Sequence, residues 1–218
     1  MKKVLLILAI AFLSNNCISQ NIADLFIKVP DTSLLNLTTE ERRLIAKYSM
    51  GNKTVNDAQR VMKKNKINYS FETVDLKNGY LKLIGALEGH IQLCYWKLLN
   101  GNKLIAVYQE GCGPICSVEQ FDFYEYNGSD FVPMELHTII PDVYNDFIKE
   151  NKAANLEKME KQDISSTLLF ELPKTGKNII AKLGNGASVE TYKKYAFGNR
   201  MILSWNNGKF KKGTIFWK

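Results

Sequence analysis

Residue types and motifs that commonly identify an enzyme are scarce in this chain of 218 residues. It has two histidines, His90 and His137, and neither stands at metal-ligand spacing from any of the four cysteines. The sequence has no Gly-x-Ser-x-Gly elbow, no glycine-rich phosphate loop followed by lysine and no His-Glu-x-x-His motif. From motifs we therefore predict no catalytic residue, no metal ligand and no cofactor.

Hydrophobic runs of transmembrane length are missing as well. The apolar run from Val4 to Leu13 is about half as long as the roughly 20 residues of a membrane-spanning helix. Lys2 and Lys3 precede this run and polar residues follow it, which is the order of a secretory signal peptide. We expect residues 1–19 to be removed after Ser19, and we predict no transmembrane helix in the mature chain.

Such a signal would direct the protein to the periplasm or out of the cell. The alternative is a lipoprotein, in which Cys17 would carry a lipid that anchors the chain to a membrane. Lipoprotein signals usually place Gly, Ala or Ser before that cysteine, whereas Asn16 stands there in this chain. A soluble mature protein is therefore favoured over a lipoprotein.

Positive charge exceeds negative charge by a modest amount. The formal net charge of +7 falls to +5 when Lys2 and Lys3 leave with the signal. Lysines cluster at 63–66 and again at 209–218, and solvated surface positions explain them better than a site for acidic lipid or polysaccharide. Because nucleic acid is not expected outside the cytoplasm, the partner predicted is an envelope protein or a glycan.

Helical periodicity marks the start of the mature chain. Ile22, Leu25 and Phe26 share one helix face before Pro30, and Thr38 with Glu41 forms a capping box for a second helix. A third helix is predicted at 57–64. We therefore predict an N-terminal helical segment at 20–68.

From Tyr69 the hydrophobic period changes to two, and turns are indicated at Asn78-Gly79, Asn100-Gly101, Asn127-Gly128 and Asn206-Asn207-Gly208. This pattern predicts a β-meander at 69–140, and a helix followed by C-terminal β-hairpins at 141–218. In an alternative division of the chain, residues 69–218 form one domain. The predicted class is α+β, with mainly antiparallel β-meander sheets packed by the N-terminal and middle helices. Both halves of the chain contain an Asn-Gly turn beside an aromatic residue. Chance recurrence of such turns explains this, and a tandem helix-plus-meander repeat is the alternative.

The mature chain keeps three cysteines, Cys94, Cys112 and Cys116. An odd number leaves at least one thiol free or paired with another chain. Cys112 and Cys116 are the disulfide candidate, because they flank a turn between predicted strands and exported proteins are oxidised. A loop of about five residues corresponds to roughly 2 kcal/mol of stabilisation, which suits a hairpin bond rather than one that holds the whole fold.

The same cysteines permit a second interpretation. Cys-Gly-Pro followed by cysteine is found in thiol-disulfide oxidoreductases, whose thiolate attacks substrate disulfides. Here Ile115 is an additional residue between the cysteines, and the pair lies between strands rather than at a helix N-terminus. A structural disulfide is therefore favoured over redox catalysis.

Short motifs along most of the chain carry a resemblance to a known family. They are Asp24-Leu25-Phe26, Val29-Pro30-Asp31, Gly79-Tyr80-Leu81, Tyr108 to Ser117 with its Cys-Gly-Pro-x-Cys, Phe121-Asp122-Phe123-Tyr124 and Ser204-Trp205. In these the sequence resembles an uncharacterised domain-of-unknown-function family of exported, periplasmic Bacteroidetes proteins with a Cys-Gly-Pro-x-Cys hairpin. The resemblance implies export and a mostly β fold, and it implies no activity.

Three functional hypotheses follow. The leading one is an exported, non-enzymatic periplasmic or surface-associated module that binds an envelope protein or a glycan. The alternative is a thiol-disulfide oxidoreductase that uses Cys112 and Cys116. The third is an envelope hydrolase whose paired acidic residues the sequence does not identify.

Overall fold

Two antiparallel sheets organise the protein, whose computed structural model describes residues 20–34, 36–49, 60, 62–85, 89–113, 115–161, 167–184 and 189–218. The first sheet contains β1 (Ser70–Asp75), β2 (Tyr80–Ile84), β3 (His90–Lys97), β4 (Lys103–Cys112), β5 (Cys116–Tyr126) and β6 (Phe131–Met134). The second contains β7 (Leu168–Glu171), β8 (Ile179–Leu183), β9 (Arg200–Asn206) and β10 (Lys209–Phe216). In both sheets each strand pairs with the next strand along the chain, so both are meanders.

Short helices precede, connect and interrupt these sheets. Helices α1 (Ile22–Lys28) and α2 (Thr39–Ser49) flank a 3-10 turn at Asp31–Ser33 and precede β1. Helices α3 (Leu136–Ile139), α4 (Tyr144–Phe147) and α5 (Lys152–Lys161) connect the two sheets, and α6 (Val189–Tyr195) lies between β8 and β9. Within the described ranges, no helix is long and apolar enough to cross a membrane.

This architecture confirms the predicted α+β class with mainly antiparallel sheets. The glycines of the four predicted turns adopt the positive φ that such turns require: Gly79, Gly101, Gly128 and Gly208. The period-two pattern predicts the fourth and fifth strands at Lys103 to Gln109 and at Val118 to Tyr126, whereas β4 and β5 extend as far as Cys112 and Cys116, because the paired cysteines continue the ladder. Helix α3 has no counterpart among the predicted helices. The predicted signal peptide at 1–19 and positions 57–59 and 61 of the predicted helix at 57–64 lie outside the described residues, while positions 60 and 62–64 are helical.

Both faces of the first sheet are buried, each under a different layer. Side chains alternate along a strand, so Leu93 and Val107 pack with the N-terminal helices while Cys94 and Tyr108 pack with the second sheet. Burial on both faces explains why β4 reads as a nearly continuous apolar run rather than as a strict alternation.

The N-terminal layer depends on a buried arginine in α2. Arg42 has no exposed surface, and its guanidinium donates hydrogen bonds to the carbonyl oxygens of Phe26, at 3.0 Å, and of Val29. It also donates to Asp31 and to the hydroxyl of Thr39. Except for Thr39, which begins α2, these acceptors lie at the end of α1 and in the following turn, so Arg42 satisfies carbonyls that α1 leaves unpaired at its C-terminus.

The second sheet meets the first through the free edge of β7. The backbone N–H of Phe170 donates to the hydroxyl of Tyr108 at 3.1 Å, and that of Leu172 donates to Gln92 Oε1 at 2.9 Å. Both N–H groups point away from β8, the strand that pairs with the other edge of β7. Side chains of β3 and β4 therefore take the place of a further strand at this edge.

Replacing Arg42 tests the role of this arginine in the N-terminal layer. We expect Arg42→Met to lower the free energy of unfolding by about 2–4 kcal/mol, because two backbone carbonyls lose a charged donor. Arg43→Met is the matched control, since the Arg43 side chain is 56% exposed and pairs with an exposed Glu40, and it should change stability by less than about 0.5 kcal/mol. Urea unfolding followed by circular dichroism measures both, and equal losses would contradict the assignment.

Candidate functional site

A polar cleft opens where the second sheet docks on the first. Its volume is about 250 Å³, and the side chains that line it come from both sheets: Tyr80, Lys82, His90, Gln92, Glu171, Leu172 and Lys182. We call this the inter-sheet cleft. Strands β2 and β3 supply one wall, while β7, the residue that follows it and β8 supply the other.

Gln92 holds the two walls of the cleft together, and its amide orientation follows from its partners. Gln92 Oε1 accepts from the backbone N–H of Leu172, so the other amide atom, Nε2, must be the donor at 2.8 Å from His90 Nε2. Tyr80 donates its hydroxyl to the same Gln92 Oε1 at 3.4 Å. His90 Nε2 is therefore an acceptor, which requires a neutral imidazole.

The environment of His90 agrees with that neutral form. Burial lowers the pKa of His90 from its ordinary value of 6.5, and the nearby Lys82 and Lys182 act in the same direction, while Glu110 and Glu72 oppose them. The Glu110 carboxylate lies 3.8 Å from His90 Nε2, beyond hydrogen-bond distance. At neutral pH the cleft thus presents His90 as an uncharged ring.

Charges of both signs surround the cleft and are paired. Lys82 Nζ lies 2.7 Å from a Glu72 carboxylate oxygen, and Lys182 Nζ lies 3.6 Å from Glu171. Arg200 donates to the second oxygen of Glu171 at 2.8 Å. The cleft therefore offers hydrogen-bond donors and acceptors with nearly balanced charge.

A second cleft, of about 330 Å³, lies against the N-terminal helices near Leu37 and Tyr69. Its carboxylate, Glu41, already accepts from the backbone N–H and the hydroxyl of Thr38, in the capping box that the sequence predicts. This second cleft is therefore a weaker candidate than the inter-sheet cleft.

The predicted disulfide closes the tip of the β4–β5 hairpin. Cys112 and Cys116 are bonded and face each other across the two strands. Both are half-buried, and we call this turn with its two cysteines and Glu110 the cysteine hairpin. Glu110, Cys112 and Cys116 place their donor atoms within 4.8 Å of one another, a set that suits a metal ion only after reduction, because thiolate is the ligand form of cysteine.

Glu110 links the cysteine hairpin to the inter-sheet cleft. The residue is 4% exposed, and its Oε2 accepts the hydroxyl of Tyr108 at 2.8 Å. Its other oxygen, Oε1, lies 3.8 Å from Cys112 Sγ. A continuous path of contacts therefore runs from Cys112 through Glu110 to His90.

The remaining residues considered in the sequence lie outside this path. Cys94 is the buried free cysteine of β3, and burial raises the pKa of its thiol. His137 is exposed on α3. Trp96 is 4% exposed and stacks on Trp205 with ring centroids 5.4 Å apart, so this pair packs in the core between the sheets.

Sequence reasoning missed Gln92, Tyr108 and Glu110 as site residues. Part of the signal was available, because Gln92 and Glu110 are polar residues beside apolar runs on strands that are buried along most of their length. A polar side chain in such a strand needs a buried partner. For Gln92 and Tyr108 that partner lies some 60–80 positions away in sequence, whereas Glu110 is bound by Tyr108 of its own strand.

A family model described as "Protein of unknown function (DUF3256)" matches residues 14–210. The chain belongs to this family. DUF3256 membership supplies no activity, and no curated protein matches the chain. The resemblance to a family of unknown function is confirmed, while export and the hairpin motif stay predictions.

One solved structure similar to this DUF3256 chain is a domain of an uncharacterized protein from Porphyromonas gingivalis W83. The TM-score is 0.59 at 12% identity, over 88% of this chain and 98% of that chain. At this identity the likeness shows a shared fold alone.

The protonation of His90 makes stability depend on pH. Its pKa is lower in the folded protein than in the unfolded chain, so the unfolded chain binds more protons as the pH falls below about 6.5. The contribution of neutral His90 to the free energy of unfolding is complete above that pH, and it is lost as the pH falls through the pKa of His90 in the folded protein. We expect His90→Gln to lose less unfolding free energy than the wild type between about pH 7.5 and 5.5 in urea titrations. Equal losses would contradict the neutral assignment.

The disulfide is expected to stabilise the fold only locally. Reduction should lower the free energy of unfolding by roughly 2 kcal/mol, because the loop that the bond closes is short. Urea unfolding with and without a dithiol reductant measures this difference. The double variant Cys112→Ser/Cys116→Ser is the control, and it should be insensitive to the reductant. Complete unfolding on reduction would show that the bond holds more than the hairpin.

Proposed function

We propose that this protein is an exported, envelope-associated binding module that holds one uncharged polar unit of a glycan in the inter-sheet cleft. The observation that carries the proposal is the arrangement of donors and acceptors from both sheets around one small cleft. Binding here needs no catalytic group. The oxidoreductase hypothesis concerns the cysteine hairpin rather than this cleft.

Charge balance favours a neutral ligand. Each lysine of the cleft already has a carboxylate within 4 Å, and His90 is neutral at pH 7. A strongly anionic ligand would have to compete with Glu72 and Glu171 for these lysines. Sugar hydroxyl groups both donate and accept hydrogen bonds, so they suit a site where donors and acceptors alternate.

The size of the cleft favours a single sugar unit. Its volume of about 250 Å³ is below the roughly 300–1,000 Å³ of pockets that enclose drug-sized ligands. Tyr80 and Leu172 add apolar surface beside the polar groups, which suits the mixed faces of a sugar ring.

A hydrolase fits the cleft less well. Retaining and inverting glycosidases use two carboxyl groups that flank the scissile bond. Of the residues that line the inter-sheet cleft, Glu171 is the carboxylate, and it is held by both Arg200 and Lys182.

The two histidines give a direct assay for the proposed binding. His90 lines the cleft whereas His137 is exposed on α3, so their ring signals in a proton–carbon NMR spectrum act as reporter and internal reference. N,N′-Diacetylchitobiose and maltose are the neutral probes, while galacturonate and glucosamine test the preference for an uncharged ligand. Neutral sugars should shift the His90 signals and leave those of His137 in place.

Removal of one cleft lysine should weaken this binding. We expect Lys182→Met to lower the affinity for the neutral sugar about tenfold or more, because a charged donor to a hydroxyl is lost. Glu171 keeps Arg200 as its partner in this variant. Lys211→Met is the matched control, since Lys211 is exposed on β10. Equal affinities in both variants, or no shift of His90 with any sugar, would refute the proposal.

A further inference from the structure

The cysteine hairpin carries a second chemical feature, which concerns its disulfide rather than ligand binding in the cleft. Glu110 is almost completely buried, yet its Oε1 faces Cys112 Sγ at 3.8 Å, while Oε2 is already bound by Tyr108. A disulfide sulfur has no hydrogen to donate, so in the oxidised protein Oε1 gains no hydrogen bond from this contact. Among the described residues no other group donates to Oε1, and a buried carboxylate oxygen without a donor is costly.

Reduction supplies the missing donor. Once the bond is broken, the thiol of Cys112 can donate its hydrogen to Glu110 Oε1 without any large movement, because the two atoms are already in contact. The carboxylate is thus placed to hold the proton that Cys112 gains on reduction and loses on oxidation. Cys116 has no corresponding contact with a carboxylate among the hydrogen bonds of the described residues.

We propose that Cys112 and Cys116 form a redox-active pair that exchanges disulfides, with Glu110 as the general base for Cys112. The substrate class is a disulfide of another protein or of a small thiol.

The reaction proceeds in two exchanges. Cys116 loses its proton to water, and its thiolate attacks one sulfur of the substrate disulfide, forms a mixed disulfide and expels the first substrate thiolate, which takes up a proton from water. Cys112 then attacks Cys116 Sγ, its proton passes to Glu110 Oε1, and the second substrate thiolate leaves. Two protein thiols are oxidised to one disulfide, and one substrate disulfide is reduced to two thiols. Glu110 afterwards releases its proton to the departing thiolate or to water.

The geometry differs from that of a pair at a helix N-terminus. There the helix dipole stabilises the thiolate itself. In this protein the pair lies between β4 and β5, and a carboxylate near Cys112 would disfavour a free thiolate through like-charge repulsion. Glu110 therefore acts by accepting a proton during the attack rather than by lowering the thiol pKa beforehand.

None of the charged and titratable groups described around Glu110 occupies Oε1, the oxygen that would accept the proton of Cys112. Tyr108 donates to its Oε2, and His90 lies 3.8 Å from the same oxygen. Lys82 and Lys182 line the inter-sheet cleft with His90 and are paired with Glu72 and Glu171. On the opposite face of the hairpin, Glu119 Oε2 accepts from the side-chain amide of Gln109. Glu119 is therefore a carboxylate on the same strand pair that does not contact the disulfide.

An aromatic disulfide that releases a coloured thiolate tests the proposal with the reduced full-length mature chain, in the presence of a chelator. Two coloured thiolates should appear: the first at a rate that depends on reagent concentration, the second at a rate that does not, because the second reports attack by Cys112. Cys94 is fully enclosed in the core and should not react in the folded protein.

We expect Glu110→Gln to slow the second release about tenfold or more at pH 7, since general-base catalysis is lost. Glu119→Gln is the matched control, and it should release the second thiolate as fast as the wild type. Circular dichroism checks that both variants are folded. Equal second rates in all three proteins, or release of a single thiolate by the wild type, would overturn the proposal.

The wild type provides a test that does not depend on the fold of a variant. With Glu110 as base, the second rate should change less than about threefold between about pH 6 and 8. An unassisted thiol with a pKa of about 8.5 would instead accelerate nearly tenfold for each pH unit in this range. That steep profile would also overturn the proposal.

Discussion

The free edge of β7 is the constraint on which the rest of the structure depends. When the edge strand of one sheet is buried against another sheet, its outward backbone N–H groups must find acceptors. Each group that stays unpaired costs about 1–3 kcal/mol. Here the N–H groups of Phe170 and Leu172 are satisfied by Tyr108 and Gln92, which are side chains of the first sheet. The second sheet is therefore held in one position by directional hydrogen bonds, in addition to the non-directional burial of apolar surface. That position in turn fixes the width and the lining of the inter-sheet cleft.

Using polar side chains for this purpose has consequences for the surrounding groups. Because the side-chain oxygen of Gln92 accepts from the backbone N–H of Leu172, the amide nitrogen of Gln92 must donate to His90. His90 must therefore be neutral. Once Tyr108 accepts from Phe170, its own hydrogen goes to Glu110. Each partner sets the donor or acceptor state of the next, which is the behaviour of a connected polar network. The network begins at backbone groups of β7 and ends at Cys112, so the docking of the sheets, the cleft and the cysteine hairpin share one set of contacts.

Much of the fold could be predicted from local sequence, and the site could not. Asn-Gly turns and period-two alternation depend on neighbouring residues, so the strands and the α+β class followed from them, as did the Cys112–Cys116 pair. The extension of β4 and β5 to the cysteines does not follow from local sequence, because it depends on Cys112 and Cys116 facing each other across the ladder. The cleft joins Lys82 and His90 to Glu171 and Lys182, residues that only the docking of two sheets brings together. The burial of Arg42 could likewise not be predicted from local sequence, because it depends on carbonyl acceptors at the end of another helix.

Hydrogen–deuterium exchange of the Phe170 and Leu172 amides tests most directly whether side chains of the first sheet seal the edge of β7. These amides should exchange as slowly as those paired within the β7–β8 ladder, although no strand of the described part of the chain lies beyond them. Gln92→Leu keeps the size of the side chain and removes the acceptor, so it should speed exchange at Leu172 much more than at Phe170. Fast exchange of both amides in the wild type, or exchange at Leu172 that Gln92→Leu leaves unchanged, would contradict this account of how the two sheets are joined.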